Sequence, residues 1–312
     1  MAHLTNPLAT PEQLYRRSTF SSLPLDLQET VFFATQCLTQ AAGLLLELPQ
    51  SVTAQANVVL ARYWLVDSPM AYEFSDVSAA ALYLVAKMGP IPRSPRDVST
   101  VYAYLLSPNS AFLRTGESTT KNDPQSYYQT EADYYAFQKR MLTLEARILY
   151  SLAYNVRVAL PHSLAITYLQ TLDFLSHPRS EISLKTIQYL NTALLSPQLL
   201  YLTHQPHALA TAAIYNAARD VGATTPDCAW WEVFDVDREE LGFLVVGMRS
   251  LEGWMATRKE ELPSLLGQGM PTRAAAEAEM KRRGLFTGNG GAKQPGTARD
   301  AEDEVMQAMD SR

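Results

Sequence analysis

The sequence AALYLVAK, residues Ala80 to Lys87, is repeated without a gap as AAIYNAAR, residues Ala212 to Arg219. Each copy lies in an alanine-rich segment, and a glycine and a proline-containing turn follow it closely. Small side chains on nearly every face of a helix allow several neighbouring helices to approach it at a short interaxial distance. The repeat therefore predicts a duplicated unit, in which each copy is a central helix surrounded by other helices.

The rest of the chain also favours helices. β-Branched and aromatic residues rarely alternate with polar ones, whereas Ala, Leu, Gln and Glu recur at spacings of three and four residues. Proline begins several predicted helices, as at Pro95, Pro161 and Pro206, where its missing N–H costs little. The sequence predicts an all-α chain with two tandem five-helix bundles, each built around its third helix. The predicted helices are Leu25–Leu46, Ser51–Trp64, Asp76–Met88, Pro95–Leu105, Glu131–Tyr154, Pro161–Leu175, Lys185–Leu194, Pro206–Val221, Trp230–Phe234 and Asp237–Lys259.

Composition divides the chain into four predicted segments. They are an N-terminal arm (1–22), a first bundle (23–157), a second bundle (158–262) and a flexible, mostly disordered C-terminal tail (263–312). Residues 107–129 are rich in Ser, Thr, Asn, Gly and Pro and lack periodicity, so they predict a loop inserted in the first bundle. The tail contains TGNGGAKQPGTARD, which cannot bury enough apolar area to offset its ordering entropy. One short helix is predicted within it, from Thr272 to Arg283.

Composition also excludes several classes of protein. The 312 residues are 47% hydrophobic and 19% charged, which is typical of a globular chain. A net charge of −6 argues against direct binding to nucleic acid, since such proteins usually carry a basic excess. No apolar run reaches the ~18 residues that span a bilayer, and the N-terminus lacks the pattern of a secretion signal. Cys37 and Cys228 lack partners at a recognisable spacing and predict free, buried thiols in a reducing compartment.

Enzyme and metal motifs are weak. The sequence HQPH, His204 to His207, places two imidazoles three residues apart, but Pro206 interrupts the helix that would align them and no third ligand is evident. Neither G-x-S-x-G nor a phosphate-binding G-x-x-x-x-G-K-[ST] is present. We predict no catalytic residue, no metal and no cofactor. The aromatic segment WWEVF, Trp230 to Phe234, predicts packing of a short helix rather than an exposed docking patch.

Four further stretches carry a resemblance to a known family. They are LTQAAGLLLELPQ (38–50), IPRSPRDV (91–98), LEARIL followed by LPHSLAITYLQTL (144–172) and YLNTALLS (189–196). In their order, and together with the alanine-rich repeat, they resemble the cyclin family, and the L-type cyclins in particular, over about residues 23–259. The resemblance implies two tandem cyclin boxes, each a five-helix bundle.

The resemblance also implies a binding site for a kinase. Cyclins have a lysine at the end of the first box's third helix and a glutamate in its fifth helix, and these positions match Lys87 and Glu145. Met88 and Leu149 are expected to add apolar contact around them. A cation at a helix C-terminus is favoured by ~0.3–1 kcal/mol on its own, which is a purely structural explanation of Lys87. It does not explain Glu145, because an isolated carboxylate within an apolar run is costly to bury.

The resemblance implies a function and leaves alternatives. It implies a nuclear regulatory subunit of a cyclin-dependent kinase of the PITSLRE type, acting in transcription and pre-mRNA splicing, with the second box free for substrates or further protein subunits. The alternatives are another transcriptional cyclin of the K, T or C type, and a kinase-independent cyclin-fold adaptor of the transcription machinery. The sequence departs from the L-type pattern after the lysine, where Met88-Gly89 replaces the usual acidic residues.

Overall fold

The computed structural model describes residues 5–19, 23–114, 124–174 and 180–285. Within these residues the chain forms α-helices and short 3-10 helices and no β-strand, which confirms the all-α prediction. The α-helices are α1 Pro11–Thr19, α2 Leu25–Leu45, α3 Gln50–Val66, α4 Phe74–Met88, α5 Pro95–Leu106, α6 Glu131–Ser151, α7 Pro161–Thr171, α8 Ser180–Leu194, α9 Leu200–Thr203, α10 Pro206–Val221, α11 Arg238–Glu261, α12 Pro263–Leu266 and α13 Arg273–Arg282. The 3-10 helices are Pro69–Ala71, Pro124–Tyr127 and Trp230–Phe234. None of the described helices combines the length and apolar character needed to span a membrane.

The first bundle is built around α4. This helix contacts α2, α3, α5 and α6, and it is buried at almost every position from Phe74 to Ala86. Ala79, Ala80 and Ala81 are completely buried. Because their side chains are single methyl groups, four helices can pack around one axis. This arrangement confirms the prediction of a central, alanine-rich third helix.

The second bundle repeats this arrangement around α10. This helix contacts α7, α8, α11 and the 3-10 helix Trp230–Phe234, which takes the place of a fourth α-helix. Six of its alanines are completely buried, namely Ala208, Ala210, Ala212, Ala213, Ala217 and Ala218. Trp230 and Phe234 are also buried, and the Phe234 ring stacks on Tyr168 at a centroid distance of 3.9 Å. The duplication and the packing role of the aromatic segment are both confirmed.

Hydrogen bonds join the two bundles. The side-chain amide of Gln50, at the start of α3, donates to Asn191 Oδ1 on α8 at 2.9 Å. His162 Nε2 on α7 lies 2.9 Å from the same oxygen. Residues from three of the motifs noted above therefore meet between the bundles. The first compact unit of the chain extends to Ala276 and includes both bundles, so the predicted boundary between residues 157 and 158 stays a prediction.

The N-terminal arm contains more structure than the sequence predicts. Residues Pro11–Thr19 form α1, which has no buried residue, so an apolar periodicity could not identify it. Before α1, the Asn6 side chain is buried and makes two hydrogen bonds with the backbone of Ala159, each of 2.8 Å. The arm is thereby attached to the segment that joins the two bundles.

The predicted start of the disordered tail, at residue 263, lies too early in the chain. Residues 263–276 belong to the first compact unit, and Leu265 and Leu266 of α12 are buried. Leu266 shares a core cluster with Phe33, Ala34 and Leu251, because the apolar residues after α11 turn back onto α2. The short helix predicted at 272–283 is present as α13. Residues 286–312, and residues 115–123 of the predicted inserted loop, lie outside the described residues.

The two cysteines differ from each other. Cys37 packs against the cluster that contains Leu266, and burial raises the pKa of its thiol to about 12. Cys228 is exposed, so the prediction that both thiols are buried is wrong for Cys228. It lies in a polar turn shortly before Trp230, where no neighbouring apolar pattern could bury it.

Replacing Ala80 with leucine should destabilise the protein, because α4 has no space for a larger side chain. We expect the free energy of unfolding to fall by about 1–3 kcal/mol, measured by chemical denaturation followed by circular dichroism. Ala146→Leu, at an exposed position of α6, is the matched control and should change it by less than about 0.5 kcal/mol. Equal effects of the two substitutions would contradict a close-packed central α4.

Candidate kinase-binding site

Lys87 and Glu145 form an ion pair between α4 and α6. Lys87 Nζ lies 3.2 Å from Glu145 Oε1. Lys87 is in the last turn of α4, where the helix dipole favours a cation. The lysine also lies over the ring of Tyr83, one turn earlier, at 5.7 Å from the ring centroid. We call Lys87 and Glu145 the charged pair; the structure brings together the two residues that the sequence predicted.

The two members of the charged pair differ in exposure. The Lys87 side chain is 56% exposed, whereas the Glu145 side chain is 9% exposed. Within the described part of the chain, Lys87 is the only hydrogen-bond partner of the Glu145 side chain. A carboxylate that is nearly buried and has one partner is incompletely compensated for its lost hydration. The pair therefore has unused hydrogen-bonding capacity at the edge of the surface.

The hydrogen bond that Lys87 donates to Glu145, together with the negative charge of that carboxylate, raises the pKa of Lys87. Both effects favour the protonated amine, so Lys87 is charged at neutral pH. A raised pKa in the folded state means that the pair stabilises the fold fully below the pKa of lysine in the unfolded chain. This contribution is lost as the pH rises through the higher pKa of the folded protein.

Ion pairs on both sides of the charged pair position α6. Arg140 Nε lies 2.8 Å from Asp76 in the first turn of α4, and Arg147 Nε lies 2.6 Å from Asp67 after α3. Each exposed pair contributes only about 0–1 kcal/mol, but contacts at several points restrict rotation of α6 about its axis. Glu145 lies between Arg140 and Arg147 along α6. The two ion pairs therefore keep the Glu145 side chain oriented toward Lys87.

The turn after α4 is held by specific hydrogen bonds. Arg93 Nε donates to the carbonyl oxygen of Leu46 at the end of α2, at 2.7 Å. Ser94 and Asp97 form a reciprocal capping box that begins α5. At Gly89, a Cβ atom would lie 3.2 Å from Val52 Cγ2, so a larger residue would be crowded. The close approach of α3 thus accounts for a glycine at a position where the L-type pattern has an acidic residue.

Partly or largely exposed apolar side chains lie near the charged pair along α4, α6 and the turn after α4. Met88 is 51% exposed, and Leu149 on α6 is half-buried one turn beyond Glu145. Ile91, in the turn after α4, is 40% exposed. A polar centre with an apolar surround is typical of a protein interface, but the contact role of Met88 and Leu149 stays a prediction. Sequence reasoning missed Ile91 and Tyr83. The four-residue spacing from Tyr83 to Lys87 on one helix could have indicated Tyr83.

The second bundle has an ion pair near the end of its own central helix, one residue after Arg219, which the repeat aligns with Lys87. Asp220 in the last turn of α10 pairs with Arg249 Nη2 on α11 at 2.5 Å. Its carboxylate also accepts a hydrogen bond from Tyr189, and Arg249 Nε donates to Asn216 Oδ1 at 2.6 Å. Each member of this pair has a further side-chain hydrogen-bond partner, whereas neither member of the charged pair has one among the described residues. Among the described residues, the Glu145 carboxylate therefore has fewer side-chain hydrogen-bond partners than the Asp220 carboxylate.

The two histidines of the HQPH motif do not form a metal centre. The His204 ring stacks on Phe243 at a centroid distance of 5.3 Å, and its Nδ1 lies 2.9 Å from Thr203 Oγ1. Among the described residues, no group of three or more His, Cys, Asp or Glu side chains could hold a metal ion. The candidate site around Lys87 and Glu145 consists of hydrogen-bonding and apolar groups.

Sequence comparisons identify relatives over most of the chain. No protein-family model matches it. Cyclin L homolog cyl-1 of Caenorhabditis elegans is 30% identical over 257 residues, which is 78% of this chain and 51% of the relative. Cyclin-L2 of Homo sapiens is 29% identical over 289 residues, 91% of this chain and 52% of the relative. Cyclin-L1 of Homo sapiens is 29% identical over 258 residues, 80% of this chain and 44% of the relative. The chain thus spans about half the length of these relatives.

Solved structures share the fold. A chain of the yeast RNA polymerase II CTD kinase complex CTDK-1 matches with a TM-score of 0.61 and 15% identity, over 97% of this chain and 89% of that chain. A chain of the CAK complex of Chaetomium thermophilum, bound to ATP-gamma-S, matches with a TM-score of 0.56 and 13% identity, over 93% of this chain and 94% of that chain. The two alanine-centred bundles are thus those of a cyclin-box protein. The chain belongs to the cyclin family and, within it, resembles the L-type cyclins.

Replacing Glu145 with glutamine should lower the pKa of Lys87 toward the ordinary value for lysine, because the negative charge beside the amine is removed. NMR titration of protein with carbon-13-methylated lysines measures this change directly. Asp76→Asn, which removes the carboxylate paired with Arg140 instead, should leave the pKa of Lys87 unchanged. A Lys87 titration that is insensitive to Glu145→Gln would show that the two side chains are not paired in solution.

Proposed function

We propose that this chain is a regulatory cyclin subunit, not itself an enzyme, that binds and activates a cyclin-dependent kinase. The observation that carries the proposal is the charged pair at the edge of an apolar surface. Its position, at the end of the third helix of the first box and on the fifth, is the one that the family resemblance predicted for kinase binding. Membership of the cyclin family supports the same conclusion.

The charged pair can bind backbone groups of a partner. An ammonium group has three N–H donors, and Glu145 occupies one of those of Lys87. The remaining donors can reach carbonyl oxygens, and the free lone pairs of Glu145 can accept from backbone N–H groups. Such charge-assisted hydrogen bonds are stronger than neutral ones. Met88 and Leu149 would then exclude water from around these bonds.

Activation would follow from selective binding to one state of the kinase. A kinase is active only when its C-helix glutamate pairs with the β3 lysine. A cyclin that binds this state better than the inactive one shifts the population toward it. Moving the ratio from 1:99 to 99:1 requires about 5.5 kcal/mol of differential binding, and an interface centred on a desolvated charged pair can contribute a substantial part of this.

The proposed partner is a PITSLRE-type cyclin-dependent kinase, and the proposed role lies in transcription and pre-mRNA splicing in the nucleus. The similarity to Cyclin-L1 and Cyclin-L2 supports this type of partner. The match to a chain of an RNA polymerase II CTD kinase complex supports a kinase partner through the fold alone. The second box, whose own ion pair is already satisfied, remains available for substrates or further protein subunits.

Replacing either member of the charged pair with alanine should abolish co-purification of the kinase. Truncating one side of a desolvated pair typically costs about 2–5 kcal/mol of binding, or more than about 30-fold in affinity. Lys87→Ala and Glu145→Ala should keep helical content and melting temperature close to those of the unsubstituted protein. Co-purification from cell extract, with circular dichroism of each variant, tests both expectations.

The second bundle supplies the matched control. Asp220→Ala and Arg249→Ala remove the ion pair near the end of the central helix of the second box and should leave kinase binding intact. If the control variants lose the kinase while the variants of the charged pair retain it, the binding surface lies on the other bundle. If all four variants retain it, the proposed site is wrong.

Affinity purification followed by mass spectrometry should recover a PITSLRE-type kinase as the main kinase, because the chain resembles the L-type cyclins. Recovery of a different transcriptional kinase instead would support a cyclin of the K, T or C type. Recovery of transcription factors without any kinase would support the kinase-independent adaptor. The Lys87→Ala variant, purified in parallel, identifies those proteins that depend on the charged pair.

A further inference from the structure

Six serine or threonine residues of the chain are followed directly by proline, and all six lie among the described residues. They are Thr10, Ser68, Ser94, Ser107, Ser196 and Thr225. A serine or threonine before proline is the minimal sequence that proline-directed protein kinases modify. Proline suits these enzymes because it has no backbone N–H group that would need an acceptor in the kinase. The sequence alone does not distinguish the six residues, but their surroundings in the structure do.

Two of the six hydroxyl groups are buried. Ser107 is 5% exposed and Ser196 is 2% exposed. Ser107 Oγ also donates to the carbonyl oxygen of Tyr104 at 2.7 Å, and Ser196 Oγ accepts from the backbone N–H of Gln198 at 3.3 Å. A kinase must bring the hydroxyl group to its catalytic aspartate and to the γ-phosphate of ATP. The folded chain therefore protects both serines.

Three further hydroxyl groups are exposed but begin helices. Thr10, Ser68 and Ser94 each accept a hydrogen bond from a backbone N–H two or three residues later. The proline after each of them is the first residue of α1, of the 3-10 helix Pro69–Ala71 and of α5, respectively. A kinase binds its substrate segment in an extended form. Modification at these three positions would therefore require the first turn of a helix to unfold and its capping hydrogen bond to break.

Thr225 differs from the other five residues, because it lies in an irregular segment between α10 and the 3-10 helix Trp230–Phe234. Residues 222–229 of this segment are not helical. Thr225 is partly exposed, and both Thr224 and Pro226 are exposed. Residues 224–227 make no hydrogen bond among the described residues. A residue before proline favours an extended backbone, so the segment can enter a kinase without loss of any hydrogen bond of the fold.

We propose that Thr225 is a phosphorylation site for a proline-directed serine/threonine kinase. Thr225 Oγ1 attacks the γ-phosphorus of ATP, and the catalytic aspartate of the kinase accepts the proton of the hydroxyl group. The bond from this phosphorus to the oxygen that bridges the β- and γ-phosphates breaks, and ADP leaves. Thr225 belongs to the second bundle, whereas the charged pair belongs to the first, so the modification does not depend on the proposed function.

A mitogen-activated protein kinase with MgATP tests the proposal, because this kinase is proline-directed and works without a cyclin. Mass spectrometry measures the initial rate of phosphorylation at each of the six residues in the folded full chain. The same rates are measured in six short synthetic peptides, each centred on one of the six residues. The ratio of the rate in the folded chain to the rate in the peptide removes the sequence preference of the kinase.

We expect the ratio of the two rates to be largest for Thr225. At Thr10, Ser68 and Ser94 the ratio should be at least about fivefold smaller, as expected for the loss of a helix cap. Ser107 and Ser196 should be phosphorylated in the peptides and not in the folded chain, because both are buried.

Three variants test the role of the Thr-Pro sequence. Thr225→Ala should remove most of the phosphate that the folded chain incorporates. Thr224→Ala is the matched control, since Thr224 is exposed in the same segment and is not followed by proline, and should leave the incorporation unchanged. Pro226→Ala keeps the hydroxyl group and should lose phosphorylation at Thr225. Circular dichroism of each variant reports whether it keeps the fold.

Three outcomes would overturn the proposal. One is a folded chain that is not phosphorylated at Thr225. The second is a larger ratio of folded-chain rate to peptide rate at any of the other five residues. The third is a Pro226→Ala variant that is phosphorylated at Thr225 as fast as the unsubstituted chain.

Discussion

The alanine surface of α4 is the constraint on which the first bundle depends. A helix whose faces carry methyl groups can be approached from several sides at once, and α2, α3, α5 and α6 occupy those sides. The same arrangement places the C-terminal turn of α4 beside the middle of α6. The burial of α4 thus determines where Lys87 and Glu145 come into contact. The ion pairs of Arg140 and Arg147, on either side of Glu145, fix the orientation of α6 at this contact.

The two bundles share one plan but differ in the hydrogen bonding of the ion pair near the end of the central helix. In the first, the ion pair at the end of the central helix leaves Glu145 with a single partner. In the second, Asp220 and Arg249 are joined by Tyr189 and Asn216 into a closed network. The two bundles are therefore scaffolds of the same plan, and among the described residues the carboxylate of Glu145 has one side-chain partner whereas that of Asp220 has two.

Much of the fold could be predicted, because alanine-rich segments and proline helix starts are local signals with one common structural outcome. The position of Lys87 at the end of α4 could be predicted for the same reason, whereas its pairing with Glu145 needed the family resemblance. Helix α1 could not be predicted, since it buries none of its residues. The packing of Leu266 against Phe33 joins residues far apart in sequence, which no periodicity can indicate.

The return of the chain after α11 has a consequence for the solubility of shortened forms. Leu266 covers Phe33, whose ring meets Trp254 edge-on at 5.5 Å. A chain cut after residue 262, where the helical repeat ends, would leave these aromatic side chains facing water. A contiguous exposed apolar patch of this kind promotes self-association. The segment after residue 262, which looks the most dispensable in the sequence, therefore protects the protein from aggregation by burying these aromatic side chains.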